Sequence, residues 1–206
     1  MQMRGIDISR WQGNIDFGKV KKSGIDFVLI KAGGSDDGFY TDRKFLNNYR
    51  NALENGLHVG AYYFVGSNCN SYENGVIHAN EFYKIIQGCY FDFPVIIDFE
   101  VGNPSNKIGN TLACDGFCKF MENLGYYAMI YASDVSGFHD TLNINGLTAY
   151  DKWVACWGGK PSYVKKFGIW QYTNSGIVNG INGRVDMDIS YNDYPSIIKR
   201  NHLNGF

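Results

Sequence analysis

Two carboxylates set the chemistry open to this chain. Asp98 and Glu100 close the apolar run Pro94-Val95-Ile96-Ile97-Asp98-Phe99-Glu100. Side chains of an extended strand alternate between faces, so this pair points one way with Cα atoms about 6 to 7 Å apart, and Phe99 turns the other way into packing. Two carboxyl groups so close cannot both ionise cheaply. The one with fewer hydrogen bonds or more apolar surroundings keeps its proton, which sets an acid beside a base. Glycoside hydrolysis needs such a pair, about 5 Å apart in retaining enzymes and about 6.5 to 9.5 Å in inverting ones. A solvated turn or a metal clasp would use the same two residues, so the pair alone does not decide.

Other acids fall at comparable places. Asp7 ends Arg4-Gly5-Ile6-Asp7-Ile8-Ser9, and Asp186 with Asp188 closes Gly183-Arg184-Val185-Asp186-Met187-Asp188-Ile189. All lie near what read as the C-terminal ends of apolar strands, the ends that form the active face of a barrel. Asp7 alone could cap the Ser9 turn, but three strands far apart in sequence are not explained by capping.

The elements that must position these acids follow a repeating order. Apolar strands are expected at residues 4–8, 26–32, 57–65, 94–99 and 126–131. Helices are expected at 16–22, 42–55 (closed by Gly56), 71–87 and 108–123 (ended by Leu124-Gly125). Residues 133–145 read as weakly helical, and three short strands at 152–157, 168–172 and 184–189 follow among Gly, Pro, Asn and Ser-rich loops. Strand–helix alternation implies parallel βαβ units with right-handed crossovers, and eight strands are enough to close a barrel. A doubly wound open sheet is the alternative. No strand is followed by Gly-x-Gly-x-x-Gly, and Gly33-Gly34 is too little for a phosphate cradle.

Composition narrows the partners. With 206 residues the chain suits one domain spanning 1–206. A net charge of −1, without a basic run or an acidic tail, gives nucleic acid and anionic lipid no electrostatic hold. No apolar stretch is long enough for a membrane span, and residues 1–5 are too short for a secretory leader. Cys69, Cys89, Cys114, Cys118 and Cys156 are odd in number and match no zinc spacing, so buried free thiols are expected. Aromatic residues make up 16% of the chain, and most are assigned to the core, although such rings also stack on sugars.

Taken in order, the motifs resemble glycoside hydrolase family 25, the Chalaropsis-type lysozymes and many phage endolysin catalytic domains. The resemblance opens at Gly5-Ile6-Asp7-Ile8-Ser9-Arg10-Trp11-Gln12-Gly13 with Ile15-Asp16-Phe17. It continues through Gly60-Ala61-Tyr62, Ile97-Asp98-Phe99-Glu100, Ile130-Tyr131, Trp153-Val154-Ala155, Trp170-Gln171-Tyr172 and Val185-Asp186, over essentially the whole chain. It implies an α/β, irregular TIM-like (β/α)5β3 barrel that hydrolyses the β-1,4 bond between N-acetylmuramic acid and N-acetylglucosamine in bacterial peptidoglycan. By the same resemblance Glu100 is the proton donor. Asp98 is either the nucleophile or the helper of the substrate's 2-acetamido group, the second being favoured because the substrate carries that nucleophile. Asp7 and Asp186 complete the acidic site, and their field should raise the pKa of Glu100.

Tyr62, Tyr131 and Gln171 match groove positions. Lys31 is either a sugar contact or an aspartate partner. Trp11, Trp153 and Trp170 are assigned to packing rather than to sugar platforms. Departures from the family pattern are Gly33-Gly34-Ser35 in place of Thr or Ser followed by Glu-Gly, Tyr63 in place of His, and Asp188 where Asn is commoner. No cofactor or metal, no wall-binding repeat after residue 192, and a monomer are expected. Rival readings are a non-catalytic peptidoglycan-binding module, an N-acetylglucosaminidase, and a metal-dependent deacetylase or phosphodiesterase. The last is weakened by the lack of His near the acids.

Overall fold

The computed structural model describes residues 2–206. Strands β1 (Met3–Ile8), β2 (Phe27–Gly34), β3 (Tyr40–Thr41), β4 (His58–Phe64), β5 (Val95–Asp98), β6 (Ala128–Ser133), β7 (Asp151–Ala155), β8 (Ile169–Gly176) and β9 (Val185–Ser190) form one sheet. Its order is β1-β9-β8-β7-β6-β5-β4-β2-β3, and a further β1–β2 pairing closes eight of the strands into a barrel, with β3 as a short flap on β2.

Four helices, α1 (Phe17–Lys22), α2 (Phe45–Glu54), α3 (Tyr72–Ile86) and α4 (Lys107–Asn123), cross between the first five barrel strands, and α5 (Tyr194–Arg200) follows β9. Local chemistry starts them where expected: Asp16 and Ser71 accept the Lys19 and Asn74 amides, which the first turn leaves free. The weakly helical segment becomes a π-helix at Asp134–His139 and a 3-10 turn at Ile144–Leu147. The (β/α)5β3 plan therefore holds, with the fifth crossover irregular. Among the described residues no helix is long and apolar enough to cross a membrane.

One expectation is corrected. Among the barrel strands pairing is parallel from β1 through β2 and β4 to β8, but β9 runs antiparallel to both β8 and β1, as the β3 flap does to β2. Asp186 therefore lies at the start of its strand rather than the end, and reaches the mouth because the strand is reversed; in register it faces Asp7. An apolar period of two fixes which face a residue takes and says nothing of strand direction.

Inside the barrel the alternation produces rows that change character toward the mouth. Leu29, Ile96, Met129 and Ile169 fill the interior with Phe27, Phe93 and Trp153. Two residues further along the same strands stand Lys31, Asp98, Tyr131 and Gln171. The residues between them, such as Val28, Ile30 and Ile97, face the helices in a second cluster. Helices α3 and α4 cross with almost no gap. A Cβ added to Gly75 would lie 2.0 Å from the Ala113 carbonyl oxygen, and one added to Gly116 would lie 2.3 Å from that of Tyr72.

The far end of the barrel is plugged by Tyr194 and Ile198 of α5. Asn204 locks it: its side chain donates to the Phe93 carbonyl (2.8 Å) and accepts from the Tyr127 amide (2.7 Å). The five cysteines are free thiols, four of them buried, whereas Cys156 is only half-buried.

Candidate active site

At the mouth, a cavity of about 210 Å³ is lined by all eight residues singled out from sequence: Asp7, Lys31, Tyr62, Asp98, Glu100, Tyr131, Gln171 and Asp186. Each except Glu100 comes from a barrel strand, and Glu100 stands just beyond β5. Asp7 and Asp98 are buried, Asp186 is half-buried, and Glu100 is exposed at the rim.

Hydrogen bonds fix the acidic floor. Gln171 donates through Nε2 to Asp7 Oδ2 (2.8 Å), while its Oε1 accepts from the Tyr131 hydroxyl (3.1 Å) and the Trp157 indole (3.1 Å). Both ends of one amide are used, so Gln171 holds the carboxyl of β1 to the aromatic wall of β6. Below it, Asp188 is fully buried and accepts from Trp153 Nε1 (2.8 Å), with its other oxygen unpartnered. Asp98 Oδ1 is likewise buried without a hydrogen-bond partner.

The consequence is electrostatic. Burial, followed by the charges of Asp188 and Asp186, holds the Asp7 carboxyl well above the usual carboxylate range. Burial and then Glu100 do the same for Asp98, against the opposing pull of Lys31. Asp186 is pushed up to about 6, by burial first and Glu100 second. Glu100 is also raised, as expected, but through burial of its carboxyl rather than through the field of Asp7 and Asp186. Its side chain remains open to water, which tempers that rise. Asp98 and Glu100 are thus both held above the usual carboxylate range, and Glu100 is the member an incoming ligand can touch.

Two tryptophans were read wrongly or not at all. Trp11, assigned to packing, is 77% exposed and lines the cavity. Trp157, unassigned, is 55% exposed and lines an adjoining cavity of about 380 Å³ with Tyr131, Ser133 and Ser136. Burial statistics favour the core for any tryptophan; the signal against it was local, since both sit beside Gly-containing turns just past strand ends. Trp153 is buried as expected, and Trp170 is half-buried with its indole on the Cys156 carbonyl. Glu100 and Tyr131 line both cavities, so the two adjoin as one groove that has the accessible acid in both parts and an exposed indole in each. Among the described residues Lys31 forms no salt bridge, and it lies 4.4 Å from the Phe64 ring centroid. Among the described residues no group of three His, Cys, Asp or Glu side chains is arranged to hold a metal ion.

Comparison with known proteins follows the same lines. The sequence model of Glycosyl hydrolases family 25 matches residues 6–181. The chain is 33% identical over 189 residues to the autolytic lysozyme of Clostridium acetobutylicum, covering 90% of this chain and 55% of that protein. It is 32% identical over 200 residues to lysozyme M1 of Streptomyces globisporus, covering 89% of this chain and 66% of that one. It thus spans between about half and two thirds of these two relatives. Among solved structures the CTP1L endolysin superposes with a TM-score of 0.83 at 28% identity, over 96% of this chain and 70% of that one.

Proposed function

The chain belongs to glycosyl hydrolases family 25, and on that premise we propose that its barrel is a catalytic unit that cleaves peptidoglycan as an N-acetylmuramidase, with Glu100 as general acid and base. The observation that carries this reading is the position of Glu100, the exposed member of a close carboxyl pair, in the lining of two adjoining cavities of which one holds Trp11 and the other Trp157.

A β-linked glycan laid along the groove would stack sugar faces on Trp11 and Trp157 and bring one glycosidic oxygen over Glu100. In the empty site burial weighs more heavily on Asp98, so the shared proton favours it. An acetamido N–H donating to Asp98 stabilises its ionised form and leaves the proton on Glu100, where the leaving oxygen needs it. The acetamido oxygen then attacks the anomeric carbon as the C–O bond breaks and Glu100 gives its proton to the leaving sugar. Water opens the resulting ring while Glu100 takes a proton back. Asp7 and Asp186 support positive charge developing on the sugar.

The test is release of reducing ends from purified peptidoglycan by the wild type and Glu100→Gln. Loss of about 10²- to 10⁴-fold is expected, the contribution typical of a positioned general acid. New ends should carry muramic acid. Glucosamine there would assign a glucosaminidase, and equal rates for the two proteins would remove Glu100 from the mechanism.

A further inference from the structure

A cationic wall adjoins the groove at Trp11, which lines the cavity. The Arg10 guanidinium lies 5.0 Å from the Trp11 ring centroid and 5.5 Å from that of Tyr40. Lys31 approaches the opposite part of this wall, 5.8 Å from the Tyr40 centroid. The guanidinium joins no salt bridge and donates no hydrogen bond among the described residues, although the chain is rich in carboxylates a few residues away. Asp42 reaches the Arg10 backbone, but it accepts the main-chain amides of Arg10 (2.9 Å) and Lys44 (2.8 Å) and so fixes the main chain. Asp36 stands beside the Tyr40 hydroxyl.

The wall exists because β2 ends in Gly33-Gly34. A Cβ on Gly33 would lie 2.2 Å from the Tyr40 carbonyl oxygen, and one on Gly34 would lie 2.6 Å from the Tyr40 hydroxyl. Side chains at either position would evict β3. With two glycines, Tyr40 folds across the strand end, and its ring joins that of Trp11 against the guanidinium. Stacking leaves the edge of the planar fork, with its N–H donors, free.

We infer that Arg10, held between Trp11 and Tyr40, is a specificity residue that binds a carboxylate carried on the 3-O-lactyl arm of muramic acid, and this rests on the muramidase reading of the same groove. Neutral sugars need no unpaired guanidinium, whereas a carboxylate accepts two parallel N–H bonds from one. In a bare glycan that carboxylate is the lactyl group's own; in intact wall the lactyl carboxyl is amide-linked and the carboxylates belong to the peptide beyond it.

Binding separates the inference from the reaction. Four ligands are titrated calorimetrically into Glu100→Gln, with and without Arg10→Gln or Arg10→Lys: a GlcNAc–MurNAc fragment, its methyl ester, its peptide-bearing form, and an N-acetylglucosamine oligomer of equal length. Arg10→Gln should weaken at least one carboxylate-bearing ligand about tenfold or more, with partial rescue by Arg10→Lys, and should leave the ester and the glucosamine oligomer unchanged. Loss confined to the peptide-bearing form identifies the stem carboxylate; loss with the free lactyl acid identifies the arm itself. Equal weakening of all four ligands would reduce Arg10 to a support for Trp11, and no weakening of any would overturn the inference. Either result would leave the cleavage assay, and the muramidase reading with it, standing or falling separately.

Discussion

Among the described residues Asp188 joins no salt bridge; it lies wholly inside the barrel and spends one oxygen on the Trp153 indole. Burial first, and Asp186 second among the causes that raise it, hold its pKa well above the ordinary value. A carboxyl whose folded-state pKa is raised stabilises the fold at pH below its unfolded value of about 4, and that contribution is lost as pH rises through the folded value. Asn in its place keeps an acceptor for Trp153 and has no proton to lose. Asp188→Asn should therefore raise Tm by about 2 to 4 °C at pH 8, roughly what 1 kcal/mol yields in a chain of this size, and the gain should fade by pH 4. An equal gain at both pH values in scanning calorimetry would remove the titration account. The other acids of the site were legible in sequence because an acid at the end of an apolar strand contradicts the row it stands in. The reach of Trp11 was not, because side-chain type alone favours burial and its exposure is set by the turn that follows.

Secondary elements were legible in proportion to their periodicity. Helices α2, α3 and α4 have three turns or so of patterned sequence and were placed to within a few residues. Strand β3 is two residues long and has no period to read, and it forms only because Gly33-Gly34 admit Tyr40. Helix α5 escaped because its seven residues follow turn formers, although Asp193 caps it and Pro195 sits in its first turn. The contact of α3 with α4 was equally invisible, since a helical glycine reads as a weak point until the backbone crossing it is seen. Gly75→Ala drives a methyl into the Ala113 carbonyl, and should cost about 2 kcal/mol, or roughly 4 to 8 °C in Tm. Activity per folded molecule should hold, because this crossing lies on the outer layer. Unchanged melting would mean that the helices can slide apart freely.

At the scale of the molecule, the barrel depends on contacts at both ends. Asn204 is buried and serves β5 and β6 from outside them, so its loss strands the Tyr127 amide and the Phe93 carbonyl away from water. Asn204→Ala should lower unfolding free energy by about 2 to 3 kcal/mol, the penalty for buried groups left unpaired, read as a lower urea midpoint with unchanged slope. A midpoint equal to that of the wild type would show that water replaces the side chain there. Nothing in composition or period marked this residue, whose importance comes from a positive φ that turns the chain back under the barrel. The eight barrel strands, by contrast, were readable throughout, and among them only the direction of β9 was not.

That reversed strand also sets a schedule. β9 is inserted between β8 and β1, so Asp7, on the first strand of the barrel, meets its partner at Asp186 only after the last barrel strand has been synthesised. Asp98 and Glu100 are available long before, yet the mouth in which they act has no wall until the last strand docks. A ribosome-bound chain that stops before β9 would carry Asp98 and Glu100 without Asp186 and without a closed barrel, so the groove would arrive in one step when β9 docks rather than growing with chain length.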